Sequence, residues 1–205
     1  MDILYSPASG LEVVGTMTRE QRFDILPGER RVGLRFQPGM ARRFLRIVAA
    51  ELVDRVIPLE DVLGPGARQW RERLDAGAST TEWRQTLLDG VVCRAGNLDP
   101  VHLAIEAMVR VHGEADIDSL ADQAGMSARQ FRRRCREESG VSPKQLARIL
   151  RFRRACALAS RGESWLKVAV EAGYFDQAHL IRDFREFTGS TPVSDFSKTD
   201  ADRIE

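Results

Sequence analysis

The sequence has little cysteine, little histidine and almost no net charge. It contains three cysteines and three histidines, and its formal net charge at pH 7 is +1. The cysteines are widely spaced and odd in number, so they fit free thiols in a reducing cytoplasm better than a disulfide framework. Because neither a CxxC pair nor a histidine cluster is present, we expect no metal site and no cofactor.

Long apolar runs and catalytic motifs are also missing. The sequence has no apolar run of about 18 residues and no signal-peptide pattern, which indicates a cytoplasmic protein without membrane contact. It contains no GxSxG, HExxH or P-loop pattern. The acids Glu60 and Asp61 are adjacent, so they do not face each other across a site and are typical of a helix N-terminus. We therefore expect no enzymatic activity.

What the sequence does have is a block of basic residues in its C-terminal half. Eleven basic side chains and two acidic ones lie between Ser127 and Arg161. Most runs of charge are solvated helix faces. A basic block inside a nearly neutral chain nevertheless indicates a directed contact with a polyanion.

Residues 116–139 have the pattern of two helices joined by a tight turn. Asp116 or Asp118 can cap the first helix, Gly125 can leave it with a positive φ, and Ser127 can cap the second. The second helix places four arginines on one outward stripe: Arg129, Arg132, Arg133 and Arg136. A polyanion would relieve their mutual repulsion. A helix with such a stripe after a glycine turn is typical of insertion into a DNA major groove.

The same spacing of alanine, glycine and proline residues occurs twice in the C-terminal half. An Ala-to-Gly pair and a closing Gly-to-Pro pair recur in the same order, first as Ala121, Gly125, Gly140 and Pro143, then as Ala169, Gly173, Gly189 and Pro192. The repeat predicts a second helix-turn-helix over residues 164–188, capped by Ser164 and Asp176. Residues 142–160 predict a connecting helix roughly 28 Å long. That length can hold two recognition helices near the ~34 Å spacing of successive major-groove faces.

Residues 1–95 have a different pattern that includes strands. Residues 11–18 and residues 31–36 each predict a strand, and the turn signal Pro27-Gly28 predicts that they form a hairpin. Helices are expected from Met40 onward and over the ranges 67–76 and 81–94, the last capped by Thr80 or Thr81.

Two tryptophans and a glycine-containing linker complete this region. Trp70 and Trp83 are predicted either to belong to the core or to line a ligand pocket. Residues 94–100 contain glycine, asparagine and proline and predict a boundary, after which Asp99-Pro100 opens a helix to about Val111.

The C-terminal half resembles the AraC/XylS family of transcription regulators. The resemblance lies in SLADQAGMSARQFRRRCREESGVSPKQLARILRFRRACALA and VAVEAGYFDQAHLIRDFREFTGSTPVSDF, and it covers about residues 99–196. It implies a seven-helix double helix-turn-helix domain over residues 96–205 that binds double-stranded DNA sequence-specifically. The last of its helices would start at Thr191-Pro192 and include Val193 and Phe196.

Residues 1–95 resemble, less specifically, the tail of the small cupin-like β-barrel sensor domain that precedes many such DNA-binding halves. The expected fold is therefore mainly α, with a small α+β N-terminal region of partial β-barrel strands followed by helices. This region would serve sensing or dimerisation. The chain begins almost inside a strand, so we expect an incomplete barrel, through an internal start or a real truncation. A native mass near 23.0 kDa would exclude the internal start.

The resemblance also implies which residues contact DNA. Base contacts fall on Arg129, Arg132 and Arg133 in the first motif and on Gln177, Ala178, His179, Ile181 and Arg182 in the second. Phosphate contacts are expected for Arg136, Lys144 and Arg185 and for the backbone N–H groups at Ser127 and Asp176. His179 is alternatively a capping or packing residue. Arg134 stands where the family usually has an apolar residue.

Several alternatives stay open at this point. The N-terminal region leaves room for a small-molecule effector of unknown identity and for a homodimer. An enzyme with an AraC-type DNA-binding half, such as an alkyl-DNA repair protein, would need a reactive cysteine, and only Cys93 lies outside that half. A DNA-architecture protein would bind without preferring one sequence.

Overall fold

The computed structural model describes residues 1–22 and 25–192. One small sheet contains four strands: β1 (Asp2–Ser6), β2 (Gly10–Val14), β3 (Val32–Arg35) and β4 (Val56–Pro58). The helices up to the linker are α1 (Ala41–Leu45), α2 (Glu60–Leu63), α3 (Pro65–Asp75) and α4 (Thr80–Val92). After the linker follow α5 (Val101–Arg110), α6 (Ile117–Gln123), α7 (Ala128–Ser139), α8 (Pro143–Ala159), α9 (Trp165–Glu171) and α10 (Gln177–Thr188). The fold is mainly helical with a small N-terminal sheet, as expected.

The four-stranded sheet is antiparallel in the order β3-β1-β2-β4. The predicted hairpin of residues 11–18 with residues 31–36 is wrong, because β3 pairs with β1 and lies on the far side of it from β2. The hairpin is formed instead by β1 and β2, and Ile3 of β1 lies between Val13 and Leu34. The sheet is open within the described residues, with β3 and β4 as its edges.

The short edge strand β4 has no counterpart in the sequence prediction. It is only three residues long and ends in Pro58, which lacks a backbone donor and is therefore confined to edge positions. The helix predicted from Met40 also differs, because α1 ends at Leu45 and Arg46 adopts a left-handed backbone with φ 56°. A 3-10 helix then covers Ala49–Leu52.

Both tryptophans belong to the core of the N-terminal region (residues 1–95). The Trp83 ring meets the Tyr5 ring edge-on with centroids 5.2 Å apart, and Trp70 Nε1 donates to the carbonyl O of Thr86 at 2.9 Å. They pack with Ile3, Val13 and the helices α3 and α4. The packing interpretation of these residues is confirmed.

Five of the predicted helix starts in the C-terminal part are confirmed, whereas α5 begins at Val101, one residue after the predicted start at Pro100. Side chains accept the backbone N–H three residues later at each of the caps Asp116, Ser127, Ser142, Ser164 and Asp176. Ser127 and Gln130 form a reciprocal capping box. Gly125 and Gly173 have φ 64° and 78°, so each turn uses a backbone conformation that side chains rarely adopt. In the N-terminal region the cap of α4 is Ser79 instead of Thr80 or Thr81.

The long helix α8 joins two separate apolar clusters. Its first half places Leu146 and Leu150 among side chains of α5, α6 and α7, and its second half places Ala155 and Ala159 among those of α9 and α10. Its 17 residues correspond to a length of about 26 Å. The seventh predicted helix, with Val193 and Phe196, lies outside the described residues. Among residues 1–22 and 25–192, we find no helix with both the length and the apolar character needed to span a bilayer.

Candidate nucleic-acid interface

The arginine stripe of α7 faces solvent. Arg129, Arg132, Arg133 and Arg136 are all exposed. The carboxylates nearest to Arg132 and Arg133, on Asp118 and Glu137, are each 3.9 Å away, which is long for an ion pair. Neither Arg129 nor Arg136 has a carboxylate within 4 Å in the described part of the chain. The stripe is therefore a concentrated and weakly compensated positive surface.

Packing of the opposite face of α7 sets this orientation. Phe131 and Cys135 are fully buried one helical turn apart, so the arginines are forced to the other side. Burial raises the pKa of the Cys135 thiol to about 11. Its Sγ lies 3.6 Å from Ser139 Oγ, deep in the first apolar cluster.

Thiol labelling should follow this burial. We expect a maleimide to modify Cys93, which is exposed, in the native protein, and to leave Cys135 unmodified until the protein unfolds. Peptide mass mapping after labelling with and without denaturant measures both. Labelling of Cys135 at the same rate as Cys93 in native conditions would contradict the described packing of α7.

The second recognition helix, α10, has a mixed polar and apolar outer face. Gln177, Ala178, Arg182 and Arg185 are exposed, whereas His179 and Ile181 are half-buried. The His179 ring meets Tyr174 edge-on at 5.1 Å, and its backbone N–H donates to Asp176 Oδ1 at 2.6 Å. His179 therefore has a packing contact within the motif, while the other five side chains are presented outward to different degrees.

The N-terminal region contacts the end of α7 that is distant from Arg129. Thr16 Oγ1 donates to the carbonyl O of Ser139 at 2.6 Å, and Arg42 Nη1 pairs with Glu138 Oε1 at 3.0 Å. These contacts lie in the last turn of the helix. The N-terminal half of α7, with three of the four arginines of its stripe, stays uncovered.

Arg134 has a role that the sequence did not reveal. Its guanidinium group pairs with Asp99 and, at 3.2 Å, with Glu137 Oε2. Asp99 also accepts the backbone N–H of Val101 at the start of α5. Arg134 thus ties α5 to α7 and does not belong to the outward stripe.

A further exposed residue was missed. Phe175 lies in the turn immediately before the cap Asp176 and is 93% exposed. The preceding aromatic, Tyr174, is buried and fills the turn, so the second aromatic has no place in the core. Two consecutive aromatics between Gly173 and a helix cap were the available signal in the sequence.

Part of the chain is similar to known proteins. Residues 120–197 match the family model of a helix-turn-helix domain. Among solved structures, the chain is similar to the DNA-binding domain of AdpA, a global transcriptional factor in complex with a target DNA, with 29% identity, 53% of this chain and 99% of that chain covered, and a TM-score of 0.48. It is also similar to an apo variant of ToxT from Vibrio cholerae, with 14% identity, 94% of this chain and 83% of that chain covered, and a TM-score of 0.48. No curated protein sequence matches it significantly.

The matched residues run from the middle of α6 through α7, α8, α9 and α10. The chain therefore contains a helix-turn-helix domain of the AraC type, and the resemblance seen in the sequence is confirmed. A domain of this type is typical of DNA-binding proteins. Within the described residues, no group of three or more histidine, cysteine, aspartate or glutamate side chains could hold a metal ion.

Proposed function

We propose that the protein is a sequence-specific transcription regulator that inserts α7 and α10 into adjacent major-groove segments of double-stranded DNA. The observation that supports this most is the duplication itself. Two capped helices each follow a positive-φ glycine turn, each presents an exposed cationic or polar face, and both pack on the single helix α8. A helix-turn-helix docks by its second helix, with the N-terminal residues of that helix at the base edges.

The proposed DNA contacts are of two kinds, contacts to bases and contacts to phosphates. In this proposal Arg129, Arg132 and Arg133 donate to guanine O6 and N7, the pairing that arginine geometry favours in the major groove. In α10, Gln177 and Arg182 donate to base edges, and Ala178 and Ile181 contact thymine methyl groups. The remaining cations, Arg136, Lys144 and Arg185, contact phosphates and set the position of the protein without selecting sequence. Phe175 joins this surface, because DNA would cover an aromatic side chain otherwise left in water.

We further propose that the N-terminal and C-terminal parts of the chain have different roles. Residues 96–205 form the double helix-turn-helix domain, with motifs over residues 116–139 and 164–188 and the linker helix over residues 142–160. Residues 1–95 form a sensing or dimerisation region that acts on the DNA-binding part through the contacts at the end of α7. In this proposal the protein acts in the cytoplasm.

Selection of bound duplexes from a random pool tests the function directly. We expect enrichment of two short conserved blocks with their centres about 10 base pairs apart, one for each recognition helix. Footprinting on the selected duplex should then protect one face of the DNA. If the pool binds but no sequence is enriched, the protein is a DNA-architecture protein and the proposal is wrong.

The rival enzymatic function depends on Cys93. Cys93 is the C-cap residue of α4, and its thiol donates to the carbonyl O of Gly90 at 3.3 Å. In the sequence Cys93 has no neighbouring histidine and no PCH-type motif, which a reactive cysteine of this kind would need. We therefore expect no transfer of an alkyl group from methylated DNA to Cys93, and peptide mass analysis after incubation would detect such a transfer.

A further inference from the structure

A polar cleft separates the N-terminal region from the linker and the DNA-binding part. Its volume is about 450 Å³, within the range of small-molecule sites. The charged and imidazole side chains on its wall are those of Arg42, Arg43, Arg46, Asp99, His102, Arg134 and Glu138. Cationic groups outnumber carboxylates on this wall, and few apolar side chains line it, so its chemistry favours a small polar anion.

His102 lines this cleft, and its Nε2 makes no hydrogen bond among the described residues. The residue is only 7% exposed. Its Nδ1 lies 2.8 Å from both the backbone N and the carbonyl O of Asp99, so Nδ1 has a partner in either tautomer. Nε2 is buried and makes no hydrogen bond within the described residues; the nearest carboxylate oxygen, Oε2 of Glu138, is 3.4 Å away. A buried nitrogen of this kind is satisfied when a ligand supplies an acceptor.

Two arginines of the cleft are not neutralised by carboxylates. Arg42 is engaged by Glu137 and Glu138, and Arg134 by Asp99 and Glu137. By contrast, Arg43 donates through Nε to the carbonyl O of Gly96 at 2.9 Å, and Arg46 is exposed. No carboxylate lies within 4 Å of either guanidinium group in the part of the chain that the structure describes.

Arg46 lies at the C-cap of α1 and lines the cleft. Arg46 is a non-glycine residue in the left-handed region, with φ 56° and ψ 28°. Helices commonly end with a left-handed residue, and glycine is the usual choice at that position. Glycine here would remove the cation from the mouth of the cleft.

We propose that this cleft binds a small anion with carboxylate or phosphate groups, held by Arg43, Arg46 and Nε2 of His102. Arginine pairs with both groups through parallel N–H donors, and the imidazole N–H completes the site. The site goes beyond DNA binding and does not depend on it. Because Arg42 and Glu138 lie in the same cleft, a bound anion also competes for the arginine that joins the N-terminal region to the last turn of α7.

Imidazole NMR of the full chain tests the site, because the chain has only three histidines. Inorganic phosphate and citrate are the two probes, and the stronger one identifies the class of anion. We expect the His102 ring signals to shift in a saturable way with at least one probe. Arg46→Ala should weaken this binding by about tenfold or more, since it removes a charge-assisted contact.

Matched variants separate this site from other cationic surfaces. Arg73→Ala removes an exposed arginine of α3 outside the cleft, and Arg133→Ala removes one from the α7 stripe; both should leave the His102 titration unchanged. Arg46→Gly should weaken binding as much as Arg46→Ala without lowering the melting temperature, which guards against loss of fold. Ring signals of His102 that do not respond to either probe, or a titration unchanged in Arg46→Ala, would overturn the proposal. The readout uses no DNA, so it can fail while the proposed DNA recognition stands.

Discussion

Replacing Arg133 with alanine should weaken binding to the selected DNA site by ~1–3 kcal/mol, or about 5- to 150-fold. Arg133 is exposed on the outer face of α7, and its nearest carboxylate is 3.9 Å away, so the change costs the folded protein little. The expected loss comes from a paired contact to one guanine. Fluorescence anisotropy on the selected duplex and on point variants of it measures the loss, which should vanish on the duplex that lacks that guanine.

A control substitution on α8 distinguishes base recognition from electrostatic attraction to the phosphates. Lys144 is exposed next to the N-terminus of α8, and Lys144→Ala should weaken binding to selected and random duplexes alike. It should also reduce the slope of log K against log salt by about one. An equal loss on selected and random duplexes for Arg133→Ala would argue against direct base recognition by α7.

Arg148→Met should lower the free energy of unfolding by about 3 kcal/mol, the lower end of the range for breaking a buried ion pair. Arg148 crosses from α8 to α10, with Nη2 2.8 Å from Asp183 Oδ1 and 2.5 Å from Glu186 Oε2. The Asp183 side chain is only 4% exposed and would be left without its cation, whereas the arginine is itself 21% exposed, which moderates the cost. Chemical denaturation followed by circular dichroism measures the change.

The same pair predicts a pH dependence. Hydrogen bonds from Arg148 hold the pKa of Glu186 below its ordinary value of 4.5. The stabilisation from Glu186 is therefore complete above that value and is lost as the pH falls through the lowered pKa. In Arg148→Met this acid-dependent loss should shrink.

Arg153→Met is the control, because Arg153 is exposed on the same helix and has no carboxylate within 4 Å in the described residues. It should leave the unfolding free energy nearly unchanged. Equal destabilisation by Arg148→Met and Arg153→Met would show that loss of arginine from α8, and not the contact with α10, is responsible.

Local signals in the sequence were sufficient for the helix-turn-helix motifs. Caps such as Ser127 and Asp176, and turns such as Gly125, act on backbone groups within a few residues, so their pattern can be read along the chain. The alternation of Phe131 and Cys135 with the arginines likewise requires only the helical period. The helix bounds and the exposure of the arginine stripe followed from these features. The assignment of each side chain to a base or phosphate stays a prediction.

Contacts between residues far apart in the chain could not be predicted from local sequence patterns. A strand that pairs on both sides, such as β1, has two equivalent edges, and the turn at Pro27-Gly28 does not say which strand follows it in the sheet. The three-residue β4 is too short for a pattern. Arg134 stands where the family usually has an apolar residue, and only the structure shows its carboxylate partner Asp99.

The sequence by itself determined that two similar helix pairs are present and which face of each recognition helix is cationic or polar, because both depend on contacts within one or two helical turns. Only the tertiary structure decided which strand lies beside which, where the N-terminal region rests on α7, and that Arg46 and His102 share a cleft. Those features arise from contacts between residues far apart in the chain. The burial of such a residue and the partner of its charge depend on which distant residue folding places beside it.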